Sequence, residues 1–92
     1  GLHNCAPNPC IGGGSVAICY DIARSSSVRL RIYDPAGRLV RTLRDETGSP
    51  PGRYTAVWNG LDGRGRPAPS GAYFYRLDAG EYSKCRRLTL LR

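Results

Sequence analysis

Four cysteines, Cys5, Cys10, Cys19 and Cys85, are the most reactive side chains in this 92-residue sequence. Structural zinc sites usually draw on closely spaced cysteine pairs completed by histidine or further cysteines. Here no C-x-x-C pair exists, and the one histidine, His3, stands by itself near the N-terminus. In so short a chain the better reading is disulfides formed in an oxidising compartment. Cys19 and Cys85 share the outward parity of two strands that read as neighbours. A Cys19–Cys85 bridge is therefore expected, leaving Cys5–Cys10 as a local loop; intermolecular pairing through Cys5 or Cys10 is the alternative.

The other groups capable of chemistry read as architecture. Asn59 and Asp62, in Trp58-Asn59-Gly60-Leu61-Asp62-Gly63, could offer oxygen to a hard cation, but the alternating acids and closing glutamate of a calcium loop are missing. They read instead as side chains that bind nearby backbone N–H groups, with Gly60, Gly63 and Gly65 at positive φ. Tyr54, Trp58, Tyr73, Phe74 and Tyr75 could form a platform for sugar rings. Their alternation fits core and cross-strand pairing better, with Trp58, Tyr73 and Tyr75 architectural and Phe74 on the opposite face. No histidine lies near a serine, the acids fall in loops or at outward positions, and Gly63-Arg64-Gly65-Arg66-Pro67 precedes no helix, so it is no phosphate loop. The expectation is a non-catalytic protein with neither metal nor cofactor.

The elements that position these residues follow from period-two alternation. Ser15–Ile22 places Val16, Ile18, Tyr20 and Ile22 on one face. Val28–Tyr33 directs Val28, Leu30 and Ile32 inward, and Leu39–Leu43 returns after the turn Asp34-Pro35-Ala36-Gly37. The connection Asp45–Gly52 is expected to be exposed and unpaired, because Pro50-Pro51 interrupts it. Tyr54–Trp58 and Ala72–Leu77 flank a loop too rich in Gly and Pro for helix. After a turn at Asp78–Glu81, Tyr82–Leu91 buries Leu88 and Leu90. Many short strands without helix, and Gly 12 with Pro 7 between them, predict an all-β sandwich or barrel of six or seven strands.

Residues 1–14 read as an extended Pro- and Gly-containing leader on a domain spanning 15–92. Its Asn8, Pro9, Cys10 and Ile11 could add to the sheet of another copy, hinged by Gly12-Gly13-Gly14. No apolar run is long enough to span a bilayer. Neither an initiator Met nor a signal peptide is present, which fits a processed product or a trimmed fragment. The net charge is +7, and of the 14 cations only Lys84 is not arginine. The arginines are scattered at solvent-facing strand positions, so nucleic-acid recognition is not expected, and an acidic surface polysaccharide is the more plausible polymer.

Taken in order, the runs APNPC, VRLRIYDPAGRLVRTL, PPGRYTAVWNGLDGRGRPAPSGAYFYRL and CRRLTLLR resemble the Ig-like domain of the flagellar hook-capping protein (FlgD) family. They are also similar to the C-terminal sorting domains of proteins exported by the type IX secretion system. The resemblance rests on Asn8-Pro9, Ile32-Tyr33-Asp34 with Gly37-Arg38, Trp58-Asn59-Gly60 with Asp62 and Gly65, and Ser70-Gly71 with Tyr73, Tyr75 and Leu77. The terminal Leu90-Leu91-Arg92 completes it. It implies an Ig-like, fibronectin-type sandwich, export to the cell surface or beyond through an oxidising periplasm, and a structural task. Cys10 departs from the aromatic residue that often follows Asn-Pro in the family.

Three functions compete at this stage. The first is an extracellular assembly module that self-associates through edge strands and the leader into a filament or surface layer. The second is a sorting and anchoring domain of a larger exported protein, engaging the export machinery. The third is a carbohydrate-binding module.

Overall fold

The computed structural model describes residues 2–4, 10–11 and 15–91, with side chains for 15–91. Eight strands run through the described residues: β1 (Leu2–Asn4), β2 (Cys10–Ile11), β3 (Val16–Ile22), β4 (Ser26–Tyr33), β5 (Leu39–Ser49), β6 (Gly52–Trp58), β7 (Gly71–Ala79) and β8 (Tyr82–Leu91). They form a three-stranded sheet, β1-β3-β6, against a five-stranded sheet, β2-β8-β7-β4-β5. All pairings are antiparallel except β2 with β8. Six long strands with two short N-terminal ones make the fold an Ig-like β-sandwich of fibronectin type.

The core lies where alternation puts it. Val16, Ile18, Tyr20 and Ile22 of β3 with Ala56 and Trp58 of β6 face Val28, Leu30, Ile32, Tyr73, Tyr75, Leu77, Ala79, Leu88 and Leu90 of the opposite sheet. Trp58, Tyr75, Leu30, Ile32 and Leu90 are wholly buried. Each such side chain contributes roughly 1.5–3 kcal/mol of transfer free energy, which matters in a domain with so thin a core.

Strand β5 departs from the expectation. It continues through residues 45–49 instead of ending at Leu43, so most of the segment expected to be unpaired lies in the sheet. Its register against β4 shifts between Ser26 and Val28, between Leu30 and Arg31, and between Ile32 and Tyr33. Val40 and Leu43, an odd number of residues apart, would face opposite sides of a regular strand. The register shifts let both pack on the core. Pro50 and Pro51 occupy only the corner before β6, where buried Ser49 donates its hydroxyl to Glu46 Oε2 at 3.1 Å.

The N-terminal segments are not merely irregular. Leu2–Asn4 pairs with Ile18–Tyr20 of β3, and Cys10–Ile11 pairs with Leu90–Leu91 of β8. Asn8 and Pro9 lie outside the described residues, as do the glycines 12–14.

Candidate functional site

The aromatic and Gly-rich stretch is built as architecture. Trp58 Nε1 donates to Leu61 O at 2.9 Å, and the indole meets Tyr73 edge-on at 5.2 Å between ring centroids. Tyr20 and Tyr54 stack at 5.3 Å. Tyr54 and Tyr73 each donate a hydroxyl hydrogen bond to the carbonyl four residues upstream, on Pro50 and Pro69. Such a bond pins a strand to the corner that precedes it. Tyr73 and Tyr75 are buried, at 5% and 0% exposure, so neither offers a ring face to a sugar.

Two turns share one design. In Asp34-Pro35-Ala36-Gly37-Arg38, Asp34 Oδ1 accepts the amides of Ala36 and Arg38 at 3.0 and 2.9 Å. In Asp62-Gly63-Arg64-Gly65-Arg66, Asp62 Oδ1 accepts those of Arg64 and Arg66 at 2.9 and 3.0 Å. In both, the fourth residue is a left-handed glycine, Gly37 at φ 83 and Gly65 at φ 81, whose amide returns to the aspartate carbonyl. The backbone donors hold both carboxyls below their ordinary pKa. The repeat D-x-x-G-R was visible in the sequence. Both carboxylates serve their own backbone, and Asn59 Oδ1 does the same for Leu61 N at 3.1 Å. Gly63, expected at positive φ, does not adopt it; its amide reaches across to Val40 O at 2.9 Å.

That reach covers the start of β5 at one edge of the five-stranded sheet. The loop between β6 and β7 meets β5 near its start, where Gly63 N binds Val40 O and Arg41 Nη1 binds Asp62 O, both at 2.9 Å. Further along, Arg44 donates to Leu43 O and Thr55 O at 3.0 and 3.1 Å, bridging β5 to β6 between the two sheets.

The expected Cys19–Cys85 bridge is not formed. Cys85 is a free, exposed thiol. The two residues face outward on opposite sheets, Cys19 beside Thr55 on β6 and Cys85 beside Arg76 on β7, so the sandwich stands between them. Cys19 is disulfide-bonded. Cys5 and the side chain of Cys10 lie outside the described residues, and with them the expected Cys5–Cys10 pairing.

The outer face of the five-stranded sheet brings together residues from four strands. Cross-strand register lines up Leu39, Tyr33, Phe74 and Arg87 in one row, Thr42, Arg31, Arg76 and Cys85 in the next, and Asp45, Arg29, Asp78 and Ser83 in the third. Arg76 Nε pairs with Asp78 at 3.1 Å and Arg29 Nε with Asp45 at 3.6 Å, both near the surface. The pairing order needed to assemble these rows is not encoded locally.

Strand β8 forms one side of this face. Residues 82–87 are all exposed, and they include Lys84, Arg86 and Arg87 with no acid among them. Lys84 and Arg86 share the parity of buried Leu88 and Leu90, so the inner side of β8 opens to solvent at this end.

Residues 10–83 match the family of the FlgD Ig-like domain. No curated protein matches the sequence. Among solved structures, the chain is similar to part of PorZ, described as an essential bacterial surface component of the type IX secretion system of Porphyromonas gingivalis. The TM-score is 0.65 at 25% identity, over 100% of this chain and 12% of PorZ. With most of its length matched and the sandwich in place, the chain belongs to the FlgD Ig-like domain family.

Proposed function

We propose that this domain is an exported, non-catalytic structural module of a larger type IX-associated protein, acting at the cell surface. The observation that carries the reading is where its polar and aromatic groups are directed. Asp34, Asp62 and Asn59 bind their own backbone, while Trp58, Tyr54 and Tyr73 brace corners and core. What such a domain offers a partner is its faces and edges. The similarity to 12% of a type IX surface component supports the setting. The test is a fusion of residues 1–92 to a reporter, expressed behind a signal peptide in a bacterium with a type IX system. Reporter at the surface or in the medium, lost when the system is disabled, is the expected result; retention in the periplasm in both strains overturns the reading.

A second reading, self-association through edge strands, draws on β6, which ends the three-stranded sheet and carries Val57 at 55% exposure. The leader is less suited to that task, because Leu2–Asn4 and Cys10–Ile11 already pair within their own chain. Sedimentation at millimolar protein separates the two readings: a monomer removes the second.

A further inference from the structure

The start of β5 and the loop between β6 and β7 form the walls of an open groove of about 970 Å³. Gly63 N bound to Val40 O and Arg41 Nη1 bound to Asp62 O tie the walls together, and the two D-x-x-G-R turns stiffen them. The groove is thus preformed, as ligand sites usually are. Its charges are unevenly matched. Asp34 and Asp62 lie in it, but each carboxylate accepts two amides of its own turn, and Asp34 also pairs with Arg38 at 3.0 Å. Elsewhere Arg29, Arg44 and Arg76 likewise pair with carboxylates. Arg41 on one wall and Arg64 on the other form no ion pair among the described residues. Beside them the lining is apolar, with Leu39 at 53% exposure, Pro69 and Ala72.

We propose that this groove binds an acidic peptide segment of a partner protein through side-chain contacts. Arg41 is held in place by its bond to Asp62 O and keeps further N–H donors, while Arg64 is exposed. A guanidinium takes a carboxylate through two parallel hydrogen bonds, so a pair of arginines on facing walls suits a segment with more than one acid. Leu39 and Pro69 offer aliphatic surface to the apolar side chains between those acids. A sugar polymer is a worse fit, because sugar rings pack on aromatic faces and the one aromatic residue of the lining, Tyr73, is buried. A basic segment meets like charge, and a neutral one gains only the apolar contact. A second copy of this chain, at +7, is a poor occupant for the same reason. Strand addition is not the mode here, since the backbone acceptor Val40 O is already taken by Gly63 N. The proposal rests on the reading of a structural module and deepens it by naming the partner class. The two fail separately, since peptide binding is measured on the purified domain and export in cells.

The probes are a blocked seven-residue peptide of Glu residues around two Leu, its Gln-for-Glu counterpart, and polygalacturonate. Binding is followed by the amide resonances of the domain at low salt. The acidic peptide should shift the amides of Val40, Arg41, Gly63 and Arg64, and Gln in place of Glu should weaken binding at least tenfold. Arg64→Gln should weaken it at least threefold, and Arg41→Gln with Arg64→Gln tenfold or more. Arg64 is exposed and forms no ion pair, so its substitution tests the groove independently of any effect of Arg41→Gln on the melting curve. Arg53→Gln removes the same charge from β6, outside the groove, and should leave binding unchanged. An equal loss with Arg53→Gln would show diffuse charge attraction and overturn the site. Tighter binding of polygalacturonate per carboxylate overturns the choice of a peptide, and shifts confined to residues outside the groove overturn its location.

Discussion

Asp62 and Asp34 each accept two backbone amides through one oxygen, and the consequence is a pH dependence with a definite sign. Their folded pKa values lie below the ordinary 3.8. The stability they add is therefore complete above the unfolded value and is lost as pH falls through the depressed one. Asp62→Asn should lower the urea midpoint at pH 7, with the gap from the parent closing below pH 3; a gap unchanged from pH 7 to pH 2 would remove the electrostatic account. Tyr73→Phe takes away only a hydroxyl donor to Pro69 O. It should cost about 0.5–1.5 kcal/mol in urea unfolding, as should Tyr54→Phe at Pro50. Phe74 is the residue whose surroundings were least legible. Its outward parity could be read from Tyr73 and Tyr75, but its neighbours Tyr33 and Arg87 come from strands distant in sequence.

The strands themselves were legible where alternation is clean, as in β3, β4 and β7, whose buried positions are those of period two. Strand β5 was legible only over its first half. Bulges interrupt the pattern from which strands are read, and Asp45, Glu46 and Gly48 have low intrinsic strand preference. Pairing with β4 overrides that preference. The two glycines of the D-x-x-G-R loop separate what a turn demands from what it tolerates. Gly65→Ala must hold an L-residue at φ 81 and should cost about 1–2 kcal/mol. Gly63→Ala, with ordinary φ and only Val40 O at 3.7 Å from the new Cβ, should be nearly neutral by thermal unfolding. Equal effects would mean that the loop is not held by the left-handed position.

For the molecule as a whole, the exposed Cys85 gives a simple outcome. Native, unreduced protein should take up one equivalent of a maleimide at Cys85, located by peptide mapping. Label found there only after reduction would contradict a free thiol.

Short apolar alternations, Gly- and Pro-rich turns, and the ordered motifs from Asn8 to Leu77 were enough to establish an Ig-like sandwich and its family, because strand faces and turn types depend on neighbours within a few residues. Which strands pair, which sheet each joins and which edges stay open depend on contacts between distant segments. Only the tertiary structure could therefore place Cys19 and Cys85 on opposite sheets and bring the loop to β5.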